Sequence, residues 1–156
     1  SVAYDLIMYC ESGLSALLAD ELWSLVGATA NPQAAGFILE MVKTIRGLGG
    51  IAVTSTQGMQ DLFGLEGGSY GKGILDASRI KLVMQMEEQE ARLIQDKLNL
   101  SEDEVRQITR FRRGEGLLCI GYNHVPVAFY TTPKEYEAIT TSPTDLRRGR
   151  QGDSDE

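Results

Sequence analysis

The chain has 156 residues, 42% hydrophobic and 24% charged, which is the balance of one ordinary globular domain and excludes a disordered segment. Lys plus Arg number 15 against 22 for Asp plus Glu, a formal charge of -7. That excess argues against a globally basic nucleic-acid binder and leaves room only for a local basic patch. No apolar run approaches the roughly 20 residues of a membrane span. The opening Ser-Val-Ala-Tyr-Asp has neither the basic region nor the cleavage-type end of a signal peptide. Cys10 and Cys119 fit no metal spacing and are expected as reduced thiols in the cytosol. There is no initiating Met, as expected of a fragment or a processed chain.

Short apolar runs alternate with longer amphipathic stretches, the pattern of an α/β protein. Residues 2–11 read as the end of a helix closed by Ser12-Gly13. Leu14–Ala19 is an almost unbroken apolar run, expected as a strand buried on both faces and stopped by Asp20-Glu21. Asn31-Pro32 opens a helix. Its positions Ala34, Ala35, Phe37, Ile38, Met41, Val42 and Ile45 recur at helical spacing and are expected to pack on the sheet. Gly47, Gly49 and Gly50 end that helix, and residues 51–56 form a second buried strand that finishes in Gln57.

A glycine-rich segment, 64–73, is expected to be a flexible surface loop. Residues 80–86 read as a third strand and 87–98 as a charged helix with a wet face at Glu87, Glu88 and Glu90. Ser101 with Glu104 is a capping box that opens another helix. Gly114 and Gly116 frame a strand over 117–121, which pairs with 125–131 across a turn at Tyr122-Asn123-His124. One or two helical turns follow over 133–139. From Thr140 the composition becomes Ser, Thr, Pro, Gly and charge, so residues 1–143 are expected to form the domain and 144–156 a mobile charged tail.

The sharpest local feature is a hydrophobic strand ending in two acids, which places Asp20 and Glu21 at the carboxyl edge of a sheet, where open α/β folds bind ligands. In a nucleoside triphosphatase the first acid holds the magnesium shell and the second orients or deprotonates the attacking water. The competing reading is that Asp20 only caps the next helix. Gln57 ends a second strand on the same edge, where an amide can sense a terminal phosphate; its competing role is a turn residue bonded to backbone. Arg46 suits either a helix C-terminal cation or a finger reaching a neighbouring subunit's phosphate.

The run Gly67-Gly68-Ser69-Tyr70-Gly71-Lys72-Gly73 is not a Walker A loop. Glu66 stands where the first Gly belongs, and Gly73 where the Ser or Thr that contacts Mg²⁺ should be. His124 reads as turn chemistry, with no acid or nucleophile near it in sequence. Arg110, Arg112 and Arg113 could touch nucleotide, DNA or a neighbouring subunit, but a solvated charge run is the better reading.

Three segments in register carry a resemblance. Leu17-Leu18-Ala19-Asp20-Glu21-Leu22-Trp23-Ser24-Leu25 resembles the Walker B segment of conjugation ATPases from type IV secretion systems, within the HerA–FtsK branch of RecA-like motors. The run from Arg46 through Ile51 to Gln57 resembles that family's arginine, strand and sensor. Phe111-Arg-Arg-Gly114-Glu115-Gly116 resembles its late glycine-bearing strand. Asp96 to Ser101 is similar to its short helical insertion and Glu135 to Thr141 to its closing segment. The family's Walker A loop is missing.

The resemblance implies the carboxyl-terminal half of a RecA-like P-loop NTPase core, mostly parallel, with a terminal hairpin. It implies ATP and Mg²⁺ as the parent's ligands. Asp20 would order Mg²⁺ through water, Glu21 would activate water, Gln57 would report on the γ-phosphate, Arg46 would act in trans, and Gly114 and Gly116 would lie against the nucleotide. It also implies a hexamer beside other secretion-apparatus subunits, at the cytoplasmic face of the inner membrane, with DNA contact weakly supported. Without a phosphate loop this chain alone is expected to be inactive. Two other readings stay open: a non-catalytic module that binds partner subunits, and a small flavodoxin-like domain, which lacks a phosphate loop after its first strand.

Overall fold

The computed structural model describes residues 6–11, 14–27 and 30–139. Its strands fall into two three-stranded sheets, ordered β1-β2-β3 and β4-β5-β6. The expected helix end over 2–11 is instead a strand, β1 (Leu6–Glu11), antiparallel to β2 (Leu14–Ala19), with Leu6 opposite Ala19 and Glu11 opposite Leu14. A run of five apolar residues is too short for its periodicity to separate strand from helix, and an equally apolar run two residues later supplies a hairpin partner. Residues 2–5 lie outside the described set.

After β2 the chain makes one helical turn, α1 (Trp23–Val26), and then α2 (Pro32–Thr44). Asn31 caps α2 as its composition suggests, its side-chain oxygen accepting from the Gln33 N–H at 2.9 Å, with Pro32 at the first helical position. A 3-10 turn, Ile45–Leu48, closes it onto Gly49, whose φ of 74° is a left-handed conformation that glycine adopts without strain. The chain then enters β3 (Ile51–Thr54), parallel to β2 with Leu17 opposite Ala52 and Ala19 opposite Thr54. The two apolar runs are therefore parallel neighbours joined through α2.

They are buried on one face only, not on both. Leu17 is 1% exposed, whereas Leu18, Ile51 and Val53 are 42%, 53% and 54% exposed. Leu18 and Val53 are register partners, so they share the open face. The covered face packs Ala19 with Leu22, Val26, Ala35, Ile38, Leu62 and Ile74, all from helices or turns on the same side. On α2 Ala35 and Ile38 are buried, as is Ile45 in the turn that follows, while Ala34 and Phe37 turn to solvent.

The glycine-rich segment is not a flexible loop. A turn of helix, α3 (Met59–Leu62), and a 3-10 turn, Leu65–Gly68, lead into α4 (Ser69–Ala77). Gly71 is buried there, and a Cβ on it would meet the Leu62 carbonyl at 2.3 Å, so the glycine is a close-packing device. No strand leads into this segment, which is a second reason it is no phosphate loop.

The third expected strand, β4 (Ile80–Met84), opens the second sheet and pairs antiparallel with β5 (Glu115–Ile120), which pairs antiparallel with β6 (Asn123–Ala128). The hairpin turn sits at Gly121-Tyr122, with Asn123 and His124 already in β6. Between β4 and β5 run α5 (Glu88–Leu98) and α6 (Glu102–Ile108). The Ser101 hydroxyl accepts from the Glu104 N–H while the Glu104 carboxylate accepts from the Ser101 N–H, the expected capping box. These helices and the sheet enclose Val83, Ala91, Ile94, Leu98, Val105, Ile108 and Leu117. Met59 and Phe63 pack against both cores, and the Lys97 ammonium lies 4.7 Å from the Phe63 ring centre. A last helix, α7 (Pro133–Ile139), is present as expected; the tail from Thr140 lies outside the described residues.

Candidate functional site

The parallel pair sets the site. Beyond β2 and β3 the ladder continues for one step: the Ser55 N–H donates to the Ala19 carbonyl at 2.9 Å and the Leu22 N–H to the Ser55 carbonyl at 2.8 Å. Asp20 and Glu21 thus leave the sheet at the same edge as Ser55, Thr56 and Gln57. Glu21 has φ 50°, a left-handed conformation uncommon for a residue with a side chain. Such positions cost about 1–3 kcal/mol and concentrate at functional sites.

Asp20 does not cap the following helix. The cap residue of α1 is Leu22, and no side chain bonds to that end. Asp20 Oδ1 instead accepts from the Ser55 hydroxyl and from the Glu21 N–H at 2.9 Å, leaving Oδ2 without a hydrogen bond among the described residues. The Ser55 hydroxyl, and after it the Glu21 N–H, hold the Asp20 carboxyl below its ordinary pKa.

Glu21 is engaged at both oxygens. Gln57 Nε2 donates to Oε1 at 2.6 Å and Trp23 Nε1 donates to Oε2 at 2.5 Å. Gln57 is therefore bonded to the second acid and not to backbone. Every donor to these two carboxylates is neutral; among the described residues no cation pairs with either. Thr56 Oγ1 is shielded from solvent and has no partner among the described residues.

Arg46 lies in the 3-10 turn after α2, exposed and without an ion pair among the described residues. Gly116 lies in β5 and Gly114 in the turn just before it, and their contacts are to β4 and to Phe129, just past β6. Gly114 has φ 84° and its carbonyl accepts from the Phe129 N–H at 2.8 Å. A Cβ on Gly116 would meet Val83 O at 3.0 Å. These contacts give both glycines backbone reasons to be glycine, and none of them is to the acids.

Sequence reasoning assigned no role to Ser55 or Trp23. Both depend on side-chain direction at the strand ends, for which the only signal was their place inside the two motifs. His124 is not a turn residue: its Nδ1 lies 2.7 Å from Glu104 Oε1, with the ring 9% exposed. Burial raises the Glu104 pKa, but the Ser101 N–H, the Ser101 hydroxyl and His124 outweigh it and the net shift is downward. Arg110, Arg112 and Arg113 are exposed, as a solvated charge run should be. A groove of about 540 Å³ lies by α6 and β6 and is lined by Arg106, Arg110, Phe111 and Val127. It is open to solvent and none of the residues at the acid edge lines it, so the strand-edge cluster is the better candidate.

Among the described residues no three His, Cys, Asp or Glu side chains form a metal-binding group. Magnesium does not need one. It binds through one or two carboxylates with substrate phosphates and several retained waters. The free Oδ2 of Asp20 fits that outer role.

No family model matches the chain, and no curated protein sequence does. Among solved structures, VirB4 of Thermoanaerobacter pseudethanolicus is 32% identical over 77% of this chain, with a TM-score of 0.69. The match spans 32% of the VirB4 chain, about a third of its length. The genome packaging NTPase B204 of Sulfolobus turreted icosahedral virus 2 matches in complexes with AMP and with ATP-gammaS, each with a TM-score of 0.53 over 75% of this chain and 52% of that one. Their identities of 16% and 17% bear on the fold alone. The α/β fold with the acids at the end of its parallel strand pair, together with the VirB4 match, places this chain in the family of VirB4-like P-loop ATPases, as a part of their length.

Proposed function

We propose that this chain carries the acid-and-sensor half of an ATP-hydrolysing motor that energises type IV secretion, in conjugative DNA transfer. The single observation that carries the reading is the Glu21–Gln57 hydrogen bond beside Asp20, made by residues 36 apart at one sheet edge. In hydrolysis Glu21 accepts a proton from water. The water oxygen bonds to the terminal phosphorus while the bond to the bridging oxygen breaks, and the leaving diphosphate keeps that electron pair. Gln57 holds an oxygen of the terminal phosphate. Asp20 would hold the hydration shell of Mg²⁺, and the ion would offset phosphate charge. The acids need a partner that grips the β- and γ-phosphates with backbone N–H groups and a lysine, supplied from sequence outside these 156 residues.

The open apolar face at Leu18, Ile51 and Val53 supports this: such a face is a packing surface for further protein. It equally suits the second reading, a module that binds partner subunits and hydrolyses nothing. Hexamer formation and docking to other secretion subunits at the cytoplasmic membrane face belong to the motor reading. No helix among the described residues is long and apolar enough to cross a membrane. In a longer protein carrying this segment, Glu21→Gln should leave ATP binding intact and lower turnover by roughly 10²–10⁴-fold. Unchanged turnover would remove Glu21 from the reaction and favour the non-catalytic reading.

Arg46 is proposed as the residue that reaches the neighbouring subunit's nucleotide. Arg46→Ala should lower turnover by about 10³-fold or more with ATP affinity nearly unchanged. Mixing it with Glu21→Gln subunits should restore part of the activity, since some interfaces then pair an intact acid with an intact arginine. No rescue in the mixture would assign the arginine role elsewhere, first to Arg110, Arg112 or Arg113.

A further inference from the structure

Among the described residues Glu21 is the acid at the edge with both carboxylate oxygens held by side-chain donors, and the two donors differ in kind. Trp23 lies two residues away in the same turn, half-buried, and its indole has a single N–H with no acceptor capacity. Gln57 is exposed, comes from the other strand's end, and offers an amide that can serve a second acceptor in the space before it. The left-handed backbone at Glu21 and the Ser24 hydroxyl bonded to the Glu21 carbonyl at 2.7 Å fix the turn that presents the carboxylate to Trp23.

We propose that Glu21 sits in a two-armed clamp: Trp23 is a fixed positioning arm, and Gln57 an exchangeable arm for which a terminal phosphate competes. Without phosphate, the Gln57 N–H occupies Oε1, the oxygen that faces the other strand's end. An anionic phosphate oxygen at the edge draws that amide away, and Oε1 becomes free to take a proton from water. Trp23 keeps Oε2 throughout, so the freed oxygen does not wander. The base is thus unmasked when the substrate's last phosphate is in place. This rests on the hydrolytic reading for its purpose, but the clamp itself is a property of the chain.

Trp23 is the chain's one tryptophan, so its indole N–H gives one resolved signal in a proton–nitrogen NMR spectrum. In the 156-residue chain, Glu21→Gln should move that signal upfield, because an ionised acceptor becomes a neutral one, while Gln57→Ala should leave it nearly in place. An indole signal that ignores Glu21→Gln, or that follows Gln57→Ala equally, overturns the fixed arm. In a longer protein that binds ATP, adding Mg²⁺-ATPγS should shift the Gln57 side-chain amide signals and spare the indole. If both move together, or the Gln57 amide stays still, the exchangeable arm is wrong.

Trp23→Phe in that protein should lower kcat by on the order of 10- to 100-fold, as a misplaced catalytic group does, with KM unchanged. A raised KM with unchanged kcat would assign Trp23 to nucleotide binding and contradict the proposal. Should the longer protein hydrolyse no ATP at all, the hydrolytic reading fails, while the indole and amide signals still decide the clamp.

Discussion

The two sheets of this molecule handle charge in opposite ways. Around β4-β5-β6 the polar groups are tied to one another: Arg92 pairs with Glu88 at 2.9 Å and Glu102 at 3.4 Å, Arg106 with Asp103, and His124 with Glu104. At the edge of β1-β2-β3 the two acids are held only by neutral donors, and Arg46 stands alone among the described residues. A carboxylate bonded to hydroxyl and amide keeps its full charge for an incoming cation or proton; one paired with a guanidinium has spent it. The contrast separates acids already neutralised by cations from acids whose charge no cation meets among the described residues.

The largest effect on stability should come from a core position, such as one in the core behind β4-β5-β6. Ile108 is fully buried there, and Ile108→Ala should cost about 2–5 kcal/mol in denaturant unfolding. Asp20→Asn at the exposed strand edge should cost far less, since it opens no cavity. Equal losses at both positions would erase the distinction. Next, Ser101→Ala removes the cap of α6 and should cost about 1 kcal/mol, read in the same way.

The smallest effect is a pH dependence. The Glu104 carboxyl has its pKa below the ordinary value in the folded chain, so the unfolded chain binds its proton first as pH falls. Its stabilisation is present above the ordinary carboxylate range and is lost as pH drops through the lowered folded value. Glu104→Gln should flatten that acid limb of the stability curve; an unchanged limb would show that the Ser101 and His124 contacts do not stabilise the charged form.

Much of the site was legible because two strong apolar runs each ended in a polar residue, and the Asn31-Pro32 helix start between them implied a parallel crossover. That pattern puts Asp20, Glu21 and Gln57 at one edge, while their roles came from the resemblance. Ser55 and Trp23 do not follow from it, since the first contact spans 35 residues and depends on strand register, and the second depends on the left-handed turn at Glu21. The strand at Leu6–Glu11 was too short to read by period. The helix at Ser69–Ala77 was hidden by glycines that serve packing, Gly71 against Leu62 and Gly73 against Leu39. The one-sided burial of β2 and β3 was also illegible, because unbroken apolar strands predict a cover on each face whether or not the chain contains it.

The central claim is that the edge at Asp20, Glu21 and Gln57 is a hydrolytic half that acts only with a phosphate-gripping loop from outside these residues. Its most direct test is steady-state hydrolysis of Mg²⁺-ATP by the purified, tag-free 156-residue chain. The account predicts no turnover above the buffer rate. Turnover that disappears in the Glu21→Gln variant would contradict it, because the acids would then be working with a phosphate site inside this chain.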